Sequence, residues 1–250
     1  MNRFFTSLVY LFLYAPIIVL ITYSFNSKGF PSTYEHFTFK WYIELYHSTE
    51  LWSAFFVSCI VATTATLLSL GMATSLIYFR ACGAKVTPWL PLFYGSVIVP
   101  ETVLAISLLL FFNLLKIPLG LTSLIVAHTI LGLGFIVPIL YLRYTGLDHR
   151  LEETSLSLGA TPRQTFFKIT LPLLRSTMAA CGLMIFILSF DDFIFAYFCA
   201  GPRVQTLSLF LLSMIRTGIS PVVNALSAFL LGLSSLLVLL FFSTKPRIPS

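Results

Sequence analysis

Four ionisable side chains, Glu101, His128, Asp191 and Asp192, lie within stretches that are otherwise apolar. A charged group at membrane depth costs about 2 to 4 kcal/mol, so it is expected to line a path or to meet a partner. No Lys or Arg accompanies them, which predicts a path for a cation. Asp191 and Asp192 would point about 100° apart on a helix, so at most one faces a narrow pore. Alternatively, the pair marks the outer end of a helix.

An enzymatic site is not indicated. The serine-protease turn G-x-S-G is missing at Gly95-Ser96, and the aspartyl-protease turn G-x-G-D is missing because Phe135 follows Gly134. The chain lacks the GxxxxGK[ST] phosphate loop, so it is not expected to hydrolyse ATP. A lone His128 is interpreted as a buried hydrogen-bonding residue rather than a metal ligand. Neither a metal, a disulfide nor a cofactor is predicted in this chain.

The most polar stretch is 151–172, LEETSLSLGATPRQTFFKITLP. Gly159 is predicted to end a helix there, because glycine adopts the left-handed conformation without a Cβ clash. Thr161 and Gln164 have capping-box spacing, and Pro162 suits the first position of a helix. The stretch therefore predicts two short helices joined by a hinge. An ordinary cytoplasmic helical hairpin would also fit this pattern.

The composition is that of a membrane protein, with 58% hydrophobic and 10% charged residues and a mean hydropathy of +0.94. A membrane-spanning helix needs roughly 20 apolar residues. This predicts an all-α, polytopic, single domain over 1–250 with six transmembrane helices: Phe4 to Phe25, Leu51 to Phe79, Trp89 to Leu115, Leu121 to Leu142, Ser176 to Ala200, and Asn224 to Ser243. The net charge of +6 has no long basic cluster, which argues for lipid contact and against nucleic acid.

The distribution of Lys and Arg predicts the orientation. With the N-terminus inside, the inner connections carry ten Lys and Arg residues and the outer connections five. Positive charge favours the cytoplasmic side, so both termini and the loop 143–175 are expected in the cytoplasm.

Several features interrupt the predicted spans. Pro100-Glu101 is expected to open the third span near its middle. Gly132, Gly134 and Pro138 are expected to loosen the fourth. Small residues at every fourth position of the second span, such as Ser58 and Ala62, indicate close helix packing. The aromatic run 37–46 predicts an interfacial helix or an anchored loop, and the apolar run 207–215 a re-entrant or interfacial helix.

The spacing of Glu153, Gly159, Ile169, Leu171 and Pro172 resembles the EAA loop of ABC importer permeases. In that family this loop is the coupling helix, which fits a groove on a cytoplasmic ATPase. The resemblance implies an ATPase-coupling role for the following residues: Glu153, Thr154, Ser155, Gly159, Ile169, Leu171 and Pro172. Thr154 and Ser155 stand where the family pattern has alanines.

Further motifs, in order over essentially the whole chain, resemble the spermidine/putrescine branch of these permeases, the PotC type. They are Ser24-Phe25-Asn26-Ser27, Lys40-Trp41-Tyr42, Pro100-Glu101 with 105–109, the Glu153 loop, Ser189-Phe190-Asp191-Asp192, Gly201-Pro202, and 218–221 with Asn224-Ala225. Val222 stands where the family usually has an acidic residue, which puts detailed docking of a binding protein in doubt.

The resemblance implies a type I importer permease with the MetI-like fold, in a bacterial cytoplasmic membrane. Its expected partners are a second permease subunit, two cytoplasmic ATPase subunits that bind ATP and Mg²⁺, and an extracytoplasmic polyamine-binding protein. Glu101, Asp191 and Asp192 are then the expected substrate path. The alternatives are a permease for another cation, such as ferric iron or thiamine, and a secondary transporter subunit.

Overall fold

The structure, a computed structural model, describes residues 2–28, 32–217 and 221–244. Within these residues the fold is α-helical, as predicted, and an isolated antiparallel bridge pairs Asn26 with Phe37. The α-helices are α1 (Asn2–Ser24), α2 (Lys40–His47), α3 (Thr49–Ala81), α4 (Leu90–Ile98), α5 (Glu101–Leu114), α6 (Leu121–Thr145), α7 (Arg150–Ser157), α8 (Pro162–Thr165), α9 (Leu171–Asp191), α10 (Ile194–Cys199), α11 (Leu207–Thr217) and α12 (Pro221–Thr244).

The chain divides into two compact units, Met1–Trp52 with Phe210–Ser250 and Ser53–Leu209. In the first unit, α12 packs against α1 and α2. The buried side chain of Asn26 organises the loop after α1, since its amide donates to the carbonyls of Lys28 and Thr33 and its oxygen accepts from the Glu35 amide. Lys28 also hydrogen-bonds the exposed Glu35 carboxylate, which lowers the pKa of that group.

The second unit is built around α6, which packs against α4, α5, α9 and α10. Two clusters of buried apolar side chains fill this unit. One joins α3, α4, α6 and α9 around Ile77, Ile136 and Ile185, and the other joins α3, α5, α6 and α10 around Leu124 and Phe195. The helix α6 thus contributes to both clusters and fixes the relative positions of the elements that carry the ionisable side chains.

Small side chains let α3 and α6 approach closely. Ser69 is buried and donates a hydrogen bond to the Thr129 carbonyl at 3.1 Å, and a Cβ on Gly132 would overlap the Ser69 hydroxyl. The small-residue prediction for the second span is therefore confirmed as packing. Gly132, Gly134 and Pro138 do not interrupt the fourth span, because α6 is one continuous helix, and their loosening effect stays a prediction.

Among the described residues, four helical stretches are long and apolar enough to cross a membrane, and a bent pair makes a fifth if it counts as one span. The bent pair is Thr87–Ile98 with Glu101–Leu114, at 112°, so the predicted interruption of the third span is confirmed. The fifth span requires a correction. It was expected at 176–200, but the long helical stretch is Pro162–Asp191 and it ends before α10.

The remaining predicted segments fall on shorter helices. The aromatic run forms α2, and the 207–215 run forms α11. The sixth predicted span falls on α12, whose apolar character is described over Pro221–Gly232. The motif residues 218–220 and the basic tail at 245–247 lie outside the described residues. One permease domain over 1–250 stays a prediction.

Candidate functional site

The first break lies at Pro100. Proline lacks an N–H and pushes the residue before it out of the helical region, so α4 ends at Ile98 and Val99 is extended, with ψ at 132°. α5 then begins at Glu101, whose carboxylate is exposed at a helix N-terminus, where negative charge is favoured. Glu101 lines a cavity of about 300 Å³ together with apolar side chains of α6 and α9, Phe135 and Leu188 among them. A carboxylate thus lines a recess that has both polar and apolar walls.

The second break lies at Asp192. α9 ends at Asp191, and Asp192 is extended, with φ at −64° and ψ at 132°. Its carboxylate accepts hydrogen bonds from the backbone N–H groups of Phe195 at 3.4 Å and Ala196 at 3.0 Å, which caps the first turn of α10. Asp192 is buried and Asp191 is exposed, and the pair marks the end of a helix, as in the alternative interpretation.

His128 spans this second break. Its ring is 1% exposed, and Nδ1 lies 2.6 Å from the Ser189 hydroxyl in the last turn of α9. On the other side, Nε2 faces Oδ2 of Asp192 at 3.4 Å. The interpretation of His128 as a buried hydrogen-bonding residue is confirmed.

The two breaks meet. Glu101, which begins α5, lies within hydrogen-bonding reach of the Asp192 carboxyl. Two neighbouring carboxylates repel each other, so the position favours a cation between them. The structure brings together Glu101 and Asp192 and leaves Asp191 apart on the exposed side.

The polar hairpin confirms two local predictions. α7 ends at Ser157, and Gly159 has a φ of +88°, the left-handed conformation in which its N–H reaches the Leu156 carbonyl. The capping box is present, because Thr161 N–H donates to Gln164 Oε1 at 2.9 Å and Gln164 N–H donates to Thr161 Oγ1 at 3.3 Å.

The prediction of two short helices is wrong for the second one. From Pro162 the chain runs through α8, a π-helical turn over Phe166–Thr170 and α9 without leaving the helical conformation. The buried Phe166 anchors this turn to Tyr78 of α3, with ring centroids 5.1 Å apart. The second arm of the hairpin is therefore the start of a long membrane-spanning helix, which connects the hairpin rigidly to Asp191.

The residues expected to couple to an ATPase are unevenly exposed. Glu153, Thr154, Gly159 and Pro172 are exposed, while Ser155, Ile169 and Leu171 are partly covered. The Ser155 hydroxyl lies 3.0 Å from the Thr165 hydroxyl and joins α7 to α8. Large apolar side chains also face outward on this hairpin, most fully Leu158 at 84% exposure. The role of these residues remains a prediction.

Sequence reasoning missed Glu152. Its Oε1 accepts a hydrogen bond from Thr170 at 2.6 Å, and its Oε2 accepts from Tyr144 at 3.4 Å and lies 3.1 Å from His149 Nδ1. These contacts tie α7 to the end of α6 and to the π-helical turn. The only signal in the sequence was that Glu152 and Glu153 must diverge by about 100° on a helix.

A comparison with protein families gives a match over residues 87–245 to the family described as "Binding-protein-dependent transport system inner membrane component". The chain belongs to this family. It is accordingly a multi-pass membrane protein and a component of a multi-component transport system rather than an enzyme.

Curated relatives in this family have similar lengths. The chain is 38% identical over 243 residues to a spermidine/putrescine transport system permease protein of Escherichia coli, which covers 94% of the chain and 90% of the relative. It is 32% identical to the Haemophilus influenzae protein of the same name, covering 96% of both. It is also 32% identical to a putrescine transport system permease protein of Escherichia coli, covering 88% and 82%.

A solved structure shows the same fold. A chain of a bacterial ABC transporter involved in the import of the acidic polysaccharide alginate superposes with a TM-score of 0.77, covering 98% of this chain and 95% of that one. At 13% identity this likeness concerns the fold alone. Val222, the departure from the family pattern, is buried in the first turn of α12.

Proposed function

We propose that this chain is the permease subunit of an ATP-driven ABC importer that carries polyamines such as spermidine or putrescine. The observation that supports it is the acidic pair at the two helix breaks, where Glu101 lies beside Asp192. The six predicted spans contain no Lys or Arg, so no such side chain within them neutralises this negative charge. The named relatives are polyamine permeases, and a path lined in this way suits their polycationic cargo.

Within the path, we assign the substrate contacts to the exposed carboxylates, Glu101 and Asp191. An ammonium group about 4 Å from a carboxylate gains roughly 4 kcal/mol at the effective dielectric of a protein surface. Asp192 is buried and holds its charge behind Glu101, where it deepens the negative potential without touching the substrate.

The proposed assembly contains a second permease subunit, two cytoplasmic ATPase subunits and an extracytoplasmic polyamine-binding protein. ATP and Mg²⁺ bind to the ATPase subunits. The chain is oriented with both termini and the polar hairpin in the cytoplasm. The ATPase binds the exposed side of the hairpin, which includes Glu153, Leu158 and Gly159.

Transport follows alternating access. When ATP closes the ATPase dimer, the hairpin moves with it, and the continuous helical stretch Pro162–Asp191 carries that motion to the level of the carboxylates. The permease pair then faces outward and accepts the polyamine. ATP hydrolysis restores the inward-facing state.

The test is uptake by proteoliposomes that contain the chain with its cognate ATPase and second permease, supplied with the binding protein. Radiolabelled spermidine and putrescine should enter only when ATP is present on the side of the membrane that carries the ATPase. The rate of uptake should saturate as the polyamine concentration rises. Thiamine and ferric ion in tenfold excess should not compete. Uptake that persists without the ATPase would support a secondary transporter, and uptake of thiamine or iron alone would replace the polyamine.

A further inference from the structure

The buried imidazole of His128 joins the two sides of the α9–α10 break. One ring nitrogen contacts Ser189 in the last turn of α9, and the other faces Asp192, which caps α10. The contacting side chains are nearly inaccessible, at 1% for His128 and 4% for Ser189. A single side chain of α6 therefore holds both ends of an interrupted helix. We call His128, Ser189 and Asp192 the break staple.

The hydrogen-bond roles in the break staple follow from the chemistry of its groups. The Asp192 carboxylate already accepts two backbone N–H groups, so its facing oxygen is an acceptor. The ring proton therefore belongs on Nε2, and Nδ1 accepts from the Ser189 hydroxyl. Nε2 faces Oδ2 of Asp192 at 3.4 Å and makes no hydrogen bond to any described residue.

A third tie extends the break staple to the chain beyond α10. The backbone carbonyl of Asp192 accepts a 2.6 Å hydrogen bond from the Ser208 hydroxyl, close to the start of α11. The N–H of Leu207 in turn donates to the Ser58 hydroxyl of α3 at 2.8 Å. Displacement of the break would thus be felt by α3, α6 and α10 together.

The position of the break staple gives it a role in transport. α9 is continuous with the hairpin through the π-helical turn, so a movement of the hairpin arrives at Ser189 and Asp191. Beyond that point the helix is interrupted, so the peptide chain continues without helical hydrogen bonds, and side-chain contacts determine where the Asp192 carboxylate lies. Asp192 is the next residue, and it lies against Glu101.

We propose that His128 is a positioning residue that passes the movement of α9 to Asp192, and through Asp192 to Glu101. This inference rests on the proposed importer function. His128 does not touch the substrate, since its ring is buried behind Asp192. Its loss should therefore lower the maximal rate of uptake and leave the apparent substrate affinity nearly unchanged.

The test compares three variants in the assembled importer in proteoliposomes. His128→Ala removes both contacts and should lower the maximal uptake rate about tenfold, with KM within about twofold of wild type and ATP hydrolysis continuing. His128→Gln should restore most of the rate, because its carbonyl can accept from Ser189 and its amide can donate to Asp192. Thr129→Val is the matched control, because Thr129 is buried on the same helix and, among the described residues, its hydroxyl donates to Ile125 of that helix alone.

Hydrogen exchange supplies a readout that does not depend on the substrate. The amides of Phe195 and Ala196 are held by Asp192, so in His128→Ala their exchange should rise at least tenfold while that of α6 stays near wild type. A raised KM at unchanged maximal rate would overturn the proposal, as would a lost rate without faster exchange at these amides. Faster exchange in His128→Ala, together with a wild-type complex that imports no polyamine, would support the break staple and reject the proposed substrate.

Discussion

At the scale of single residues, two pairs of neighbouring acids divide between the surface and the interior. Asp191 is exposed and Asp192 caps α10, while Glu153 is exposed and Glu152 binds three side chains. The causes differ, because Glu152 and Glu153 are adjacent on a helix and point about 100° apart, whereas α9 ends between Asp191 and the extended Asp192. One acid of each pair is therefore available to a ligand or a partner, and its neighbour stabilises the local structure.

The carboxylate at the bend should determine the apparent affinity. Glu101→Gln removes one negative charge from the lining of the cavity but keeps the size of the side chain at the first residue of α5. We expect KM for polyamine uptake to rise about tenfold, which corresponds to about 1.4 kcal/mol, with the maximal rate within about twofold. Initial-rate measurements over a range of spermidine concentrations check this. Glu50→Gln, an exposed acid in the first turn of α3, is the control and should behave as wild type.

The two neighbouring glutamates of the hairpin should fail in different ways. Glu152→Ala leaves Thr170 without its acceptor and should destabilise the hairpin by about 1 to 3 kcal/mol. The melting temperature of the Glu152→Ala protein in detergent should fall, and its polyamine uptake should fall as well. Glu153→Ala removes an exposed carboxylate and should lower uptake while the melting temperature stays within about one degree of wild type. Equal melting temperatures for the two variants would contradict the bracing role of Glu152.

Sequence reasoning located the acidic residues but did not show which member of each pair is exposed and which is buried. The apolar surroundings of Glu101 and Asp191 were sufficient to mark them, since a charge at that depth is costly. Which member of each pair lies inside depends on the rotation of α7 about its axis and on the point at which α9 ends, and tertiary packing sets both. His128 shows the same limit, because its partner Ser189 is 61 residues away along the chain.

At the scale of the elements, the hairpin is a rigid extension of α9 rather than a separate domain. Gly159 turns the chain with a φ of +88°, and the capping box starts α8 three residues later. From Pro162 the helical conformation continues to Asp191. The geometry of the hairpin is thus determined by one positive-φ glycine and by the side chains that brace it.

A pair of glycine substitutions separates backbone strain from a loss of coupling. Gly159 and Gly83 both have positive φ, +88° and +93°, and a Cβ meets nothing within 4 Å at either position. Alanine should therefore cost a similar 1 to 2 kcal/mol or so of strain at each. We expect Gly159→Ala to reduce uptake at least tenfold and Gly159→Asp to abolish it, with insertion unchanged on immunoblots of membranes. Gly83→Ala should retain more than half of the wild-type uptake. If Gly83→Ala lost as much uptake as Gly159→Ala, backbone strain rather than lost coupling would explain the effect.

The two helix breaks differ in how far the sequence predicts them. Pro100 predicts the first break, because proline cannot donate a backbone hydrogen bond and disfavours the helical conformation in the residue before it. The second has neither proline nor glycine at Asp191-Asp192-Phe193. It is stabilised by the Asp192 cap and by His128, and those contacts exist only in the folded chain. The predicted continuous fifth span is wrong for this reason.

At the scale of the whole molecule, the function depends on how many times the chain crosses the membrane. The loop 143–175 reaches the cytoplasm only if the bent pair α4–α5 crosses as one span. A bend of 112° is also compatible with a re-entrant pair that returns to its own side. In that case the side on which the hairpin lies would be reversed, and no cytoplasmic ATPase could reach it. The surplus of Lys and Arg in the predicted inner loops favours the crossing.

Cysteine labelling decides between the two arrangements. Cys82 is exposed after α3, whereas Cys181 and Cys199 are buried. A membrane-impermeant maleimide should label Cys82 in inside-out vesicles and spare it in spheroplasts. With Cys82 replaced by serine, Ser157→Cys on the exposed side of α7 should give the same result, and Ser32→Cys in the loop before α2 should give the opposite one. Labelling of position 157 from the side opposite to Cys82 would show that the bent pair re-enters, and the hairpin could not then be the site of ATPase coupling.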